Sequence, residues 1–304
     1  FGLASQGTII YIPGVDSRYL TREDPSFYVS RDRRTKNLAT ARIDRQLIMV
    51  GRATPEHLAL NKRITACKNP REILRIFETD GRGFSEVNLT TAIHRLGKSS
   101  HEYRGDERRL LLGMLDQVTE TLTREWTPRS LANVSWATAK LGVPVPEMFE
   151  AVADAARAQM LQFKPQELAN TAWAFARANQ NNHLASSAFV HDLFGDLAFQ
   201  SRKQMRHFNP QGLANTAWAF GTLGFASKVL FEAIEDRVLK SAKAGCCFLS
   251  EMNPQELANT VWAFATLNFC LSDDSLDFFD KAEEECHSRR LKNFNAQDLS
   301  NIAW

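Results

Sequence analysis

Cysteine is scarce in this chain of 304 residues: Cys67, Cys246, Cys247, Cys270 and Cys286, an odd number with no C-x-x-C spacing. That pattern argues against a disulfide framework or a zinc ligand set and favours a reducing compartment. No apolar run approaches the ~18 residues of a membrane-spanning helix, so no membrane span is expected. Glycine-rich phosphate loops, H-E-x-x-H pairs and EF-hand loops are missing too, and Gly81-Arg82-Gly83 reads as a turn. The seven histidines are scattered, and adjacent Cys286 and His287 are poorly arranged to share one metal. Cys246-Cys247 reads as packing at a helix end; Asp273-Asp274 and Glu283-Glu284-Glu285 read as a helix start and a solvated face. With no catalytic constellation, the chain is expected to be non-catalytic, with neither cofactor nor metal.

One-sided charge is also absent overall, since the formal net charge is +2. The distribution is uneven, however. Residues 1–109 carry a net +7 and the remainder a net −5, an asymmetry that bears on partners. Residues 1–54 read as an extended basic arm, with one candidate short strand at Thr8–Ile12 and basic residues Arg31, Arg33, Arg34, Lys36, Arg42 and Arg45. Such an arm is expected to take up order against a partner.

What is present is a repeat. WTPRSLANVSWA starts at Trp126, FKPQELANTAWAFA at Phe163, FNPQGLANTAWAFG at Phe208, MNPQELANTVWAFA at Met252 and FNAQDLSNIAW at Phe294. A worn copy, FSEVNLTTAIHRLG, starts at Phe84 with His94 in the tryptophan position. Successive starts lie 42, 37, 45, 44 and 42 residues apart. Pro128, Pro165, Pro210 and Pro254 suit a first helical turn, where the missing N–H is not needed, and a preceding Asn or Thr suits an N-cap. Second amphipathic helices are expected near 145–161, 183–204, 226–244 and 273–292, with Gly142, Gly224 and 179–182 as turns. A hairpin of about 42 residues cannot bury its apolar face alone, so neighbours must stack. The predicted fold is all-α: an α-solenoid of antiparallel helix pairs over 84–304, a capping helix pair over 55–83 broken at Asn69-Pro70, and the arm at 1–54. The last copy stops at Trp304 within its first helix, as expected of a stretch of a longer protein.

At 100° per residue, counting each copy from its first residue as zero, Leu168, Ala172 and Phe175 at +5, +9 and +12 share one face, expected against the pair's own second helix. Small residues at +6 and +13, such as Ala169 and Ala176, permit close helix approach. Positions +3, +7, +10 and +14 form a second stripe. It reads Arg129–Asn133–Trp136–Lys140, Gln166–Asn170–Trp173–Arg177, Gln211–Asn215–Trp218–Thr222 and Gln255–Asn259–Trp262–Thr266. Two readings stand side by side. The amides and indoles build the scaffold, bonding neighbouring backbones and filling the groove between repeats. Alternatively they line an RNA-binding surface, with indoles against bases and Lys140 or Arg177 against phosphate. The stripe hardly varies, so it cannot spell a sequence. Specificity, if present, is expected at the variable +4, +8 and +14 positions or in the second helices.

The block P-Q-E-L-A-N-T-A-W-A-F-A resembles the octotricopeptide repeat and related helical repeats of organellar proteins. The stretch Asn61–Cys67, Ile73-Leu74 and Phe84–Gly97 resembles the start of such arrays in FAST-kinase-like and RAP-domain proteins. The resemblance covers about residues 60–304, although the RAP domain is not among them. It implies an α-solenoid of mitochondria or plastids that binds single-stranded or structured RNA and supports RNA processing, stability or translation. The alternative is a protein-interaction scaffold, a peripheral subunit of an organellar ribosome or other assembly, holding protein partners through the arm and the solenoid surface.

Overall fold

In four copies of the motif the helix starts at the proline, and in three of these the residue before it caps. Thr127, Asn209 and Asn253 accept from the backbone N–H three residues on, at Ser130, Gly212 and Glu256. Lys164 has no side-chain oxygen to offer; there Glu167 reaches back to the Lys164 N–H at 2.8 Å. The computed structural model describes residues 54–122, 126–181, 184, 188–239, 248–269 and 273–303. Arg31, Arg33, Arg34 and Lys36 of the basic arm lie outside them, as do Cys246, Cys247, Cys270 and Trp304.

Among the described residues there are fourteen α-helices and no strand. In chain order they are α1 (Pro55–Ala66), α2 (Pro70–Asp80), α3 (Glu86–Lys98), α4 (Gly105–Thr121), α5 (Pro128–Leu141), α6 (Pro146–Ala158) and α7 (Pro165–Gln180). There follow α8 (Ala188–Gln204), α9 (Pro210–Leu223), α10 (Lys228–Leu239), α11 (Phe248–Glu251), α12 (Pro254–Thr266), α13 (Asp273–Ser288) and α14 (Ala296–Ala303). The motif helices pack in succession, α1 on α3, then α5, α7, α9, α12 and α14. The helices between them make a second layer, α2 on α4, α6, α8, α10 and α13.

The motif helices approach closely because their facing positions are small. A Cβ placed on Gly97 of α3 would come within 2.8 Å of the Ala137 Cβ and 2.9 Å of its Cα on α5. At Gly221 of α9, the same +13 position, it would meet Trp262 and Ala263 at 3.0–3.2 Å. Gly142 and Gly224 end α5 and α9 with φ of 65° and 64°, the left-handed termination that glycine adopts without steric cost.

Several expectations shift. Helix α7 continues through Gln180, so the turn expected at 179–182 starts at Asn181, whose N–H donates to the Arg177 carbonyl. Among the described residues, α6 ends at Ala158 rather than at 161, α10 starts at Lys228 rather than at 226, and α13 ends at Ser288 rather than at 292. Residues 160–162 and 205–207 tighten into 3₁₀ turns that bury Met160 and Met205. The +12 phenylalanines also do more than face their own second helix. Phe175 meets Phe149 of the preceding pair edge-on at 5.1 Å, and Phe220 meets Phe194 at 4.8 Å. Phe264 lies between Phe231 before it and Phe278 after it, at 4.9 and 4.3 Å. These rings tie consecutive pairs together, because each motif helix sits over the junction of two outer helices.

Candidate nucleic-acid interface

Stacking the motif helices aligns their stripes on one side of the layer. Trp136, Trp173, Trp218 and Trp262, with Lys140, Arg177 and the amides of Gln211, Asn215, Gln255 and Asn259, line one continuous groove of about 870 Å³. Arg129, Gln166, Gln211 and Gln255 at +3 and Lys140 and Arg177 at +14 are exposed; Thr222 and Thr266 at +14, the asparagines and the tryptophans are half-buried. Gln166 and Asn170 hold the same positions on α7, although they do not line the groove. An amide contact joins adjacent helices at one end, from the Asn301 side-chain N–H to the Asn259 Oδ1 at 3.3 Å. The four indoles pack against the hydrophobic core and also line the groove.

The indoles form a ladder. Trp136 and Trp173 have ring centroids 6.3 Å apart, tilted 36°, and Trp173 and Trp218 are 6.2 Å apart, tilted 31°. A base inserted between two rings needs two contacts of about 3.5 Å, hence roughly 7 Å between parallel planes. The spacing excludes such intercalation without movement, so the ladder presents its outer edge as a continuous aromatic strip. Lys140 places its Nζ 5.0 Å from the Trp136 ring centroid, leaving a cation at the rim of that strip.

The positions expected to vary for specificity mostly do not reach the groove. At +8, Val134, Thr171, Thr216 and Thr260 are buried. At +4, Ser130, Gly212 and Asp298 are buried, while Glu167 and Glu256 bond the backbone N–H at their own helix starts. A third helical residue completes the N-terminal hydrogen bonding of its helix, and that geometry claims the position. Of the variable set, Lys140 and Arg177 at +14 and Glu256 at +4 line the groove.

The worn copy helps to line a second cavity. Counting from Phe84, +3, +7, +10 and +14 are Val87, Thr91, His94 and Lys98, and all four line this cavity of about 550 Å³ together with Arg95, Arg129 and Asn133. His94 continues the ladder, 5.4 Å from Trp136. Burial, with help from Lys98, Arg129 and Lys140, holds its imidazole below the usual histidine range. The signal was available: the same count that locates Lys140 and Arg177 locates Lys98.

Cys286 is buried, whereas His287 is exposed and pairs with Glu283 at 3.3 Å, so the two point to different surroundings. Among the described residues no helix is long and apolar enough to cross a membrane.

Residues 99–274, more than half of the chain, match the family described as RNA-editing substrate-binding complex 6 protein. A chloroplastic RAP domain-containing protein of Oryza sativa subsp. japonica is 26% identical over 140 residues, covering 40% of this chain and 22% of that protein. The match thus spans about a fifth of the relative's length.

Proposed function

The chain belongs to the RNA-editing substrate-binding complex 6 protein family, and from that premise we propose that it is a non-catalytic, organellar RNA-binding α-solenoid built of octotricopeptide-like helix pairs. It holds single-stranded RNA along the tryptophan groove and so supports RNA processing, stability or translation. The observation that carries this reading is the groove itself: half-exposed indoles in a row, bordered by amides, with Lys140 and Arg177 at its rim. Aromatic surface and flanking cations are the two elements of sequence-tolerant single-strand binding. A wholly buried tryptophan row beside an acidic surface would have favoured the scaffold reading instead. The family's name concerns RNA substrates, and the rice relative's name places it in the chloroplast; both agree with an RNA partner in an organelle.

The test is fluorescence anisotropy of the purified chain with a mixed-sequence RNA of about 20 nucleotides across a potassium chloride series. Micromolar or tighter binding that falls steeply with salt is expected. Trp173→Ala/Trp218→Ala, checked for folding by circular dichroism, should weaken it by about 1 kcal/mol or more. No binding at about 50 mM salt, where electrostatic association is strong, would sink the reading and leave a scaffold whose protein partners should be sought by pull-down.

A further inference from the structure

The cavity at the His94 end of the ladder differs in charge from the rest of the surface. Elsewhere, cations are commonly paired: Arg71 with Glu107, Arg157 with Asp192 and Asp196, Arg289 with Glu285. Around this cavity stand His94, Arg95, Lys98 and Arg129, and no carboxylate is among its lining residues. Lys98 and Arg129 are exposed and have no ion-pair partner among the described residues. Glu86, near the start of α3, has its Oε1 taken by the Thr127 N–H and hydroxyl at 3.0 and 3.3 Å. Two residues of its lining, Thr90 and Arg95, carry a buried polar atom without a hydrogen-bond partner, the Thr90 hydroxyl and the Arg95 Nε. Arg95 is held in place by its Nη2 donating to the Cys67 carbonyl at 2.6 Å. Finally, the first turn of α5 contributes Thr127, Arg129 and Ser130 to the wall, adding the positive end of a helix dipole.

Unpaired cations, with no carboxylate in the wall, carry a net electrostatic demand for an anion. We propose that the cavity between α3 and α5, lined by His94, Lys98 and Arg129, is a phosphate-binding site that anchors one end of the ladder. The source of the phosphate rests on the RNA-binding reading; the capacity for phosphate rests on this cavity alone. A terminal phosphate monoester and an internal phosphodiester present the same oxygens to these donors. Arg129 and Lys98 supply charge-assisted hydrogen bonds, and the His94 ring stands beside them in the cavity wall. Bound RNA would run from this anchor along the aromatic strip past Lys140 and Arg177.

The experiment compares the wild-type chain with Lys98→Ala/Arg129→Ala, two exposed side chains whose removal leaves the core untouched. Anisotropy is measured with two single-stranded RNAs of the same sequence, one 5′-phosphorylated and one with a 5′-hydroxyl, across a salt series. Binding of inorganic pyrophosphate is followed by calorimetry. Loss of roughly ten- to hundredfold in RNA affinity is expected, with the salt slope reduced by about one for each cation removed. A loss greater for the phosphorylated RNA assigns the site to a terminal phosphate, and an equal loss assigns it to the diester backbone; either supports the proposal. Equal affinity and equal slope for wild type and variant would overturn it while leaving the groove reading intact. Should the wild type bind neither RNA, the RNA reading fails, and pyrophosphate then decides the cavity: binding lost in the variant supports it, absence of binding overturns it.

Discussion

His94 shows how one residue can depart from a repeat and still serve it. In the other copies this position is tryptophan; here a smaller ring abuts Trp136 at 5.4 Å and brings a titratable group to the end of the ladder. Its folded-state pKa lies below the ordinary histidine value, first because it is buried and then because Lys98, Arg129 and Lys140 stand near it. The sign follows directly. Between the depressed folded pKa and the ordinary value near 6.5, the unfolded chain binds more protons than the folded one, so stability rises with pH. The contribution is complete above about pH 6.5 and disappears as the pH falls through the folded value. His94→Trp, the residue of the other copies, should therefore flatten the dependence of the thermal midpoint on pH between about 5 and 7 relative to wild type. Parallel curves for the two proteins would show that His94 is not the responsible group.

Two glycines make opposite predictions of a single chemical change. At Gly97 the added methyl would press on the Ala137 backbone, so Gly97→Ala should destabilise by about 1–3 kcal/mol, overpacking outweighing the gain in helix propensity. At Gly195, exposed within α8, nothing stands within 4 Å of the new Cβ. Gly195→Ala should stabilise by about 0.4–1 kcal/mol. Urea midpoints of the two variants moving in the same direction would refute the close-approach account of the motif layer.

At the scale of elements, the motif helices were legible because proline, a capping side chain and a 3.6-residue apolar period all agree. The all-α character and the alignment of the stripe follow from that agreement. Of the outer helices, α6 and α13 end short of their amphipathic stretches, because residues 160–162 tighten into a 3₁₀ turn that buries Met160 and because Arg290 and Leu291 turn to positive φ. At the +4 column Glu167, Glu256 and Asp298 accept from the backbone N–H at their own helix starts, a contact that the pattern of variation between Ser, Glu, Gly and Asp does not announce. One device left almost no sequence trace. The Gln159 side chain donates to the Trp126 carbonyl at 2.8 Å, and Gln204 donates to the Phe163 carbonyl at 2.7 Å. Each glutamine, at the end of one pair, thus fastens to the first residue of that pair's motif. Gln117 makes a comparable bond to the Gly81 carbonyl at 3.0 Å, and Arg289 does so to Met252 at 2.6 Å. Two residue types at unequal spacings share the task, which a single sequence does not reveal. Gln204→Leu removes the donor and leaves a carbonyl unpaired, so a loss of about 1–3 kcal/mol is expected. Chemical denaturation would read it, and an unchanged midpoint would mean that water replaces the amide without penalty.

For the whole molecule, the instructive quantity is the change in the +14 column from one end to the other. It runs Lys98, Lys140, Arg177, Thr222 and Thr266: three cations, then two half-buried threonines whose hydroxyls have no partner among the described residues. The aromatic strip continues past Arg177 to Trp218 and Trp262, with Glu256 as the carboxylate in the groove lining. Stacking affinity is thus spread along the groove, while Coulombic affinity is concentrated toward one end. In an array where each motif helix contacts its neighbours in sequence, such a gradient would, on the proposed RNA-binding reading, set the end at which phosphate is held most firmly. The overall net charge of +2 hides it, because the outer helices and the basic first third balance in the sum. If the column is the electrostatic track for RNA, it should be extendable. Thr222→Lys/Thr266→Lys places cations where Lys140 and Arg177 stand on their own helices, and each new phosphate contact should steepen the salt slope by about 0.7–0.9. The gain in affinity should be largest at low salt and vanish as the Debye length shrinks toward about 3 Å at 1 M. A double lysine variant that folds normally yet binds RNA with wild-type affinity and slope would show that bound RNA does not follow the ladder beyond Arg177.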